Sequence, residues 1–209
     1  MRLTSACFDQ NGAIPGECAF AVVHPATRIA LSSNLNPDLQ WSDLPTDTRS
    51  LVVVCHDPDV PAILDDFNKD GRTIAEGTPR MDFYHWVLVD LVAKTGGIGK
   101  GQFSNAIAPH GKPGPDALNG SRQGLNGYTW WFRDDPNMSG NYFGYDGPCP
   151  PWNDAIPHRY VFTLYALDIP KCPVSGIFNA ADVLGAIEGH VLDKAALTGR
   201  YTLNSNIVI

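Results

Sequence analysis

Polar side chains with useful chemistry stand at the ends of three apolar segments. They are an acid, two imidazoles and a phenol: Asp57, His85, His158 and Tyr160. An imidazole gains or loses a proton near neutral pH, and a phenol donates a hydrogen bond. A carboxylate can orient an imidazole and favour its charged form, or meet an ammonium group. Together these groups fit a pocket for a phosphate-like anion or a zwitterionic head group, if the fold brings them together.

The three apolar segments have the patterns of β-strands. The run 51–55 is continuous and β-branched, which is typical of a central strand buried on both faces. We expect it to stop at the Asp57-Pro58-Asp59 sequence, and we predict further strands over 84–91 and 158–167. If the three strands are antiparallel neighbours, the end of the first lies beside the starts of the others. The four polar side chains would then meet at one rim of the sheet.

The remaining segments give weaker patterns. Residues 93–157 are rich in glycine, proline and asparagine and predict a long irregular region. Its aromatic cluster at 128–132 fits either a lid or a satellite core, and the second is preferred. Asn179 is predicted to cap a helix over 180–197 that Gly199 would end. Residues 202–209 are predicted to be extended.

Composition sets the class of protein. A chain of 209 residues, 44% of them hydrophobic, fits one domain over 1–209, and its 17 prolines and 20 glycines favour short strands joined by turns. A net charge of −7 argues against nucleic acid as a partner. The start lacks the apolar core of a signal peptide, and no stretch reaches the ~18 apolar residues of a membrane span. We therefore expect a cytoplasmic protein without an integral membrane segment.

The five cysteines are irregularly spaced and form no Cys-x-x-Cys pair. Free thiols are expected, with no disulfide framework, no metal and no cofactor.

Several segments, in order along nearly the whole chain, carry a resemblance to a known family. They are 34–37 with Trp41 and Pro45, 51–61, 84–89, 120–124, 147–151, 158–168 and 197–201. In these segments the chain resembles the phosphatidylethanolamine-binding, Raf-kinase-inhibitor-like proteins, especially their bacterial YbhB/YbcL-like branch. Residues 126–146 and 152–157 depart from the bacterial pattern.

The resemblance implies a mainly-β sandwich, with a large central antiparallel Greek-key sheet, a smaller second sheet and a few peripheral helices. It implies that Asp57, His85, His158 and Tyr160 line a cavity for phosphate-like anions. The remaining residues that it implies are Pro61 and Gly147 as wall, and Asp59 with Arg159 as a supporting ion pair. It also implies phospholipid head-group binding, a kinase-type protein partner and a homodimer.

Two other functions are alternatives to anion binding. A hydrolase could use a histidine and an aspartate of the same pocket, but the sequence has no Gly-x-Ser-x-Gly elbow. A metal site would need a spacing such as His-x-His or His-Glu-x-x-His, which is also missing. The sequence therefore favours a binding module without catalysis. We expect its anion affinity to fall as pH rises through the histidine pKa values, near ~6.5 unless shifted.

Overall fold

The computed structural model describes all residues, 1–209. The regular secondary structure of the protein consists mainly of strands, some short and some long. In chain order the strands are β1 (Arg2–Thr4), β2 (Ala21–His24), β3 (Arg28–Leu31), β4 (Leu39–Ser42), β5 (Ser50–Pro61), β6 (Arg80–Val92), β7 (Gly96–Ile98), β8 (Gly111–Lys112), β9 (Arg122–Gln123), β10 (Asn141–Tyr142), β11 (His158–Leu167) and β12 (Val191–Tyr201). The α-helices are α1 (Tyr128–Trp131) and α2 (Ala180–Ala186), and the 3-10 turns are Gly16–Cys18 and Leu118–Gly120.

An antiparallel sheet of five strands, in the order β12-β11-β5-β6-β9, forms the centre of the fold. A second sheet has the order β1-β4-β7, while β2-β3 and β8-β10 form two-stranded pairs. The predicted mainly-β fold with a large antiparallel sheet is confirmed. The apolar run 51–55 lies in the middle strand, where both faces are buried. None of the helices has the length and apolar character needed to cross a bilayer.

Both faces of the large sheet are covered by apolar side chains. On one face, Trp86, Phe162 and Leu164 belong to a buried cluster of 22 residues shared with the second sheet. On the other face, a cluster of 10 residues includes Val52 and Val183, so that α2 packs over the sheet. Burying one large apolar side chain contributes roughly 1.5–3 kcal/mol. Packing on both faces therefore holds β5, β6 and β11, the strands that carry the polar side chains, in fixed positions.

The predicted stop of the central strand at residues 57–59 is wrong. β5 continues to Pro61, and its pairing with β6 shifts register between Cys55 and His56 and again between Asp57 and Val60. Such bulges tolerate a proline because the unpaired residue needs no ladder hydrogen bond. Asp57 therefore extends from a paired strand and not from a free turn.

The predicted helix over 180–197 is correct only at its start. Asn179 accepts hydrogen bonds from the backbone of the first turn and forms a capping box with Asp182. The helix ends after seven residues, and the apolar residues from Val191 onward belong to β12 instead. Ladder pairing with β11 outweighs the helical spacing of the apolar residues, and Gly199 lies opposite Tyr160 inside that ladder. The extended segment predicted after residue 201 contains no strand.

The region 93–157 is ordered through many short elements and contacts. Its aromatic residue Tyr128 belongs to a third buried cluster with Phe20, Val60, Phe83 and Tyr142. Residues 131 and 132 pack partly buried against this cluster. The aromatic segment is therefore a satellite core, as preferred from the sequence.

All five cysteines are free thiols, as the sequence predicts.

Candidate functional site

The structure brings the four polar side chains predicted from the sequence to one cavity. β5 ends where β6 and β11 begin, so Asp57 lies beside His158, with Oδ2 and Nδ1 separated by 2.7 Å. The rings of His85 and Tyr160 meet edge to face, with centroids 5.1 Å apart. All four side chains are buried.

This cavity, called here the aromatic pocket, has a volume of about 260 Å³. Its polar lining consists of Asp57, Asn68, His85, His158 and Tyr160, and its aromatic wall consists of Phe20, Phe67, Phe83, Tyr128, Trp131 and Phe132. The volume lies below the roughly 300–1,000 Å³ of pockets that take drug-sized molecules. The pocket therefore suits a small polar group with a short apolar extension.

His158 lies between two carboxylates. Its Nδ1 pairs with Asp57 Oδ2 at 2.7 Å and its Nε2 with Asp154 Oδ2 at 3.1 Å. Burial disfavours the charged ring, but the two carboxylates outweigh it and raise the pKa of His158 to about 9. The imidazolium therefore persists at neutral pH, and both of its N–H groups are already used. His158 lines the pocket but has no N–H left to donate to a ligand.

His158 belongs to a series of hydrogen-bonded side chains whose charges alternate in sign and sum to zero. Arg80 donates to both oxygens of Asp154, from Nη1 at 2.5 Å and from Nη2 at 3.1 Å. Burial opposes ionisation of Asp154, yet the hydrogen bonds from His158 and Arg80 hold the pKa of that carboxyl below its usual value. The series Asp57, His158, Asp154 and Arg80 thus carries two negative and two positive charges. The bottom of the pocket is held rigidly and has no net charge.

His85 presents one free nitrogen to the pocket. The backbone carbonyl of Asp146 lies 2.7 Å from Nδ1 and must accept, so Nδ1 carries the proton and Nε2 has no protein partner. Burial lowers the pKa of His85, although Asp57 and Asp146 oppose the shift. The neutral ring therefore predominates at pH 7 and offers a hydrogen-bond acceptor at Nε2. On protonation the same atom becomes a donor.

Asp146 is fixed by three donors that come from separate parts of the chain. Its carboxylate accepts from Asn34 Nδ2 and Asn126 Nδ2, each at 2.7 Å, and from Lys112 Nζ at 2.9 Å. Burial lowers the pKa of Lys112, against the attraction of Asp146. Since the same residue accepts the hydrogen bond of His85, this cluster sets the orientation of that ring. Of these residues only Asn34 lies in a segment that carries the family resemblance, and the sequence predicted no role for any of them.

The Tyr160 hydroxyl is buried and makes no well-aligned hydrogen bond within the protein, although the Asp57 carboxylate lies nearby. Burial, and then the nearby Asp57 carboxylate, raise the pKa of Tyr160 well above its ordinary value. The phenol therefore keeps its proton. A buried hydroxyl without a partner costs roughly 1–3 kcal/mol, so an acceptor placed there by a ligand would be stabilised.

An ion pair between Asp59 and Arg159 supports the pocket from behind. Arg159 donates from Nε to Asp59 Oδ2 at 2.9 Å and from Nη2 to Oδ1 at 2.8 Å. Burial opposes ionisation of Asp59, but these bonds keep its pKa below the usual value. The backbone N–H of Asp59 in turn donates to Asp57 Oδ1 at 2.8 Å. The two side chains that the resemblance names as an ion pair are thus bonded to each other, and their supporting role stays a prediction.

Pro61 and Gly147 do not line the pocket, which corrects the wall implied by the resemblance. Pro61 is the last residue of β5 and lies opposite Arg80. Gly147 allows a close approach of two backbones, because a Cβ there would lie 2.2 Å from the carbonyl oxygen of Cys18. Its own carbonyl accepts from the Tyr128 hydroxyl at 2.8 Å. Gly147 thus holds an aromatic wall residue in place without touching the cavity.

The arrangement offers little for general-base or thiolate chemistry. His158 cannot take a proton from a nucleophile, because both of its nitrogens are bonded to carboxylates. Cys149 lines the pocket, but burial raises the pKa of its thiol to about 12. The structure holds no group of three or more histidine, cysteine or acidic side chains placed to bind a metal ion. The one free imidazole nitrogen in the pocket is His85 Nε2, and no serine or threonine lines the cavity beside it to act as a nucleophile.

A mainly-β fold of two sheets, with a small pocket of aromatic walls and a polar floor, defines a class of small-ligand-binding protein. The sequence profile described as "Phosphatidylethanolamine-binding protein" matches residues 4–202. The chain belongs to the phosphatidylethanolamine-binding protein family, and it is a ligand-binding module of that family.

Relatives cover nearly the whole chain. It is 31% identical to a UPF0098 protein of Methanothermobacter thermautotrophicus over 96% of this chain and 98% of the relative. It is 31% identical to YbhB of Escherichia coli over 81% and 82% of the two chains. The solved structure of a putative phosphatidylethanolamine-binding protein homolog from Chlamydia trachomatis matches with a TM-score of 0.62 at 26% identity, over 96% and 95%. Escherichia coli YbcL matches with a TM-score of 0.67 at 23% identity over 96% and 97%, which shows the shared fold.

Proposed function

We propose that the aromatic pocket binds a small phosphate-like oxyanion, either free or as the head group of a phosphorylated small molecule or lipid. The observation that carries this proposal is the buried Tyr160 hydroxyl, which has no protein partner and lies beside the ring of His85. The free Nε2 of that ring shares the same cavity. One fixed donor and one atom that switches between acceptor and donor match an oxyanion that carries a proton.

Each polar group of the pocket would make a different contact with such a ligand. An oxygen of the ligand accepts from Tyr160, and a P–OH group donates to the neutral His85 at pH 7. Asp57 uses one lone pair on each oxygen for bonds within the protein, which leaves it able to accept a hydrogen bond from the ligand or to meet an ammonium group. The aromatic wall suits an ammonium or short apolar portion, because ring faces attract cations.

The wider setting of this proposal comes from the family resemblance. We propose that the protein is a cytoplasmic homodimer. A phosphorylated group on a kinase-type protein partner would then compete with the small ligand for the aromatic pocket. Analytical ultracentrifugation tests the dimer. Competition between inorganic phosphate and a phosphorylated peptide tests whether one pocket serves both.

Calorimetric titration with inorganic phosphate tests the binding proposal. We compare the wild type with Tyr160→Phe, and use Tyr165→Phe as the control on the opposite face of β11. A charge-assisted hydrogen bond is worth roughly 1.5–3 kcal/mol, so Tyr160→Phe should weaken binding by about tenfold or more. The control should bind as the wild type does. Equal affinity in all three proteins, or no saturable binding by the wild type, contradicts the proposal.

A further inference from the structure

A second cavity lies behind the aromatic pocket at the same end of the large sheet. This arginine cleft, of about 740 Å³, is lined by Asn11, Asp59, Glu76, Arg80, Ile156, Pro157, Arg159 and Arg200. It shares no lining residue with the aromatic pocket. Its three guanidinium groups come from β6, β11 and β12 of the large sheet; β11 and β12 are neighbours, and β5 separates them from β6.

Two of these arginines face each other as like charges. Arg159 and Arg200 are direct partners in the antiparallel ladder of β11 with β12. Side chains directly opposite in such a ladder lie about 4.5–5.5 Å apart at Cβ, and like charges there destabilise the sheet. Only Arg159 is neutralised, by Asp59. Arg200 uses its backbone to bond with residues 12 and 14, and no carboxylate lies within salt-bridge distance of its guanidinium.

The cleft also contains unused donors. Arg159 spends Nε and one Nη group on Asp59, which leaves the other Nη group without a partner. Arg80 has a buried Nε without a hydrogen-bond partner, while both of its Nη groups are bonded to Asp154 and to the backbone. The Arg200 guanidinium makes no hydrogen bond within the protein, so it and the free Nη group of Arg159 can hold an acceptor between the two opposed side chains.

We propose that the arginine cleft binds a multivalent oxyanion, a phosphoryl group, that bridges Arg159 and Arg200. The planar guanidinium matches the spacing of phosphoryl oxygens and can pair with two of them. A bridging anion also removes the repulsion between the two opposed side chains. Glu76 is exposed at the cleft, and its carboxylate repels an anionic ligand, which limits the affinity of the cleft.

Nuclear magnetic resonance of the full chain with inorganic pyrophosphate tests the cleft. The observed signals are the side-chain Nε–Hε resonances of Arg159 and Arg200. Arg200→Gln removes one bridging group, and Arg49→Gln is the matched control. Arg49 is also exposed, but it directly precedes β5 at the opposite end of the large sheet.

The wild type should show saturable shifts at both arginines. Arg200→Gln should lower the affinity for pyrophosphate about threefold to fivefold, because exposed charge pairs contribute up to ~1 kcal/mol. The Arg159 resonance reports this affinity in the variant. Arg200→Lys should lose less affinity for pyrophosphate than Arg200→Gln does. Glu76→Gln should bind pyrophosphate more tightly than the wild type, and Arg49→Gln should bind it with unchanged affinity. Shifts that never saturate, or equal losses in the Arg200→Gln and Arg49→Gln variants, overturn the proposal.

The cleft is separable from the aromatic pocket by one further variant. Tyr160→Phe should leave pyrophosphate affinity at the cleft unchanged, since the two cavities share no residue. A loss of cleft affinity in Tyr160→Phe would show that the anion occupies the pocket instead. Failure of phosphate to bind the pocket leaves the cleft result intact.

Discussion

The Nδ1 atom of His158 and the Oδ2 atom of Asp57 lie 2.7 Å apart, although 101 positions separate the two residues in the chain. This bond joins the start of β11 to the far end of β5. It also settles which groups in the pocket can reach a ligand. His158 is committed to carboxylates on both sides, so Tyr160 and His85 carry the proposed contacts.

The His158 ion pair predicts a loss of stability at alkaline pH. The pKa of His158 is raised to about 9 in the folded protein, against ~6.5 in an unfolded chain. Its stabilisation is therefore fully present below pH ~6.5 and is lost as pH rises through about 9. The difference corresponds to about 3 kcal/mol as an order of magnitude. Urea unfolding between pH 6 and 9.5 measures it, and a free energy that does not fall across this range contradicts the assignment.

Phosphate and sulfate should differ in their pH dependence. The pKa of His85 is lowered by burial, so at pH 7 the ring offers only an acceptor, which a protonated phosphate can use and sulfate cannot. Phosphate should therefore bind more tightly than sulfate at neutral pH. Sulfate affinity should rise as pH falls through the His85 pKa, below ~6.5. Calorimetry with both anions from pH 5 to 8 checks this, and equal affinities across the range rule out the role given to His85.

Removal of the Tyr160 hydroxyl should have opposite effects on stability and binding. Because the buried hydroxyl has no partner, Tyr160→Phe should raise the unfolding free energy of the ligand-free protein by about 1 kcal/mol. The same change should weaken the binding of phosphate. Denaturant unfolding without anion gives the first result, and a marked destabilisation would show that the hydroxyl has a structural bond.

Glycine substitutions should separate pocket volume from general stability. A Cβ at Gly127 would lie 2.6 Å from the ring of Phe83, a wall residue of the aromatic pocket. Gly127→Ala should displace that ring, destabilise the protein by about 1–3 kcal/mol and weaken phosphate binding.

Gly185 in α2 provides the control for this change. It has no atom within 4 Å of its Cβ position, so Gly185→Ala should stabilise the protein by about 0.5–1 kcal/mol. Phosphate binding should not change. Thermal unfolding and calorimetry of both variants distinguish the two outcomes, and unaltered binding in Gly127→Ala would show that Phe83 yields without closing the pocket.

The parts of the fold that could be predicted from the sequence are those with a local pattern. The β-branched run 51–55 and the apolar segments 84–91 and 158–167 each predicted their strand. β6 begins earlier than predicted, at Arg80, and β5 continues to Pro61, so His85 and Asp57 lie inside their strands and only His158 stands at a strand start. The helix after Asn179 was predicted too long, because the apolar residues from Val191 onward satisfy helical spacing and strand pairing alike. Only the neighbouring strand decides between them.

Long-range partners account for the rest. Asp57 and Asp154 keep His158 charged, and Asp154 is in turn fixed by Arg80, which lies 74 positions away in the chain and follows no motif. Asp146, which holds His85, depends on amides and an ammonium from three other segments. Such partners are chosen by tertiary packing, so a single sequence contains no local signal for them.

The nitrogen-15 resonance of His85 Nε2 reports directly on the proposed binding, because this atom is proposed to contact the bound oxyanion. The full chain is titrated with inorganic phosphate at pH 7, and the His158 resonances serve as an internal reference. We expect a saturable shift at His85 Nε2 that follows the calorimetric affinity, with His158 remaining a cation throughout. Saturable phosphate binding that leaves His85 Nε2 unshifted would contradict it.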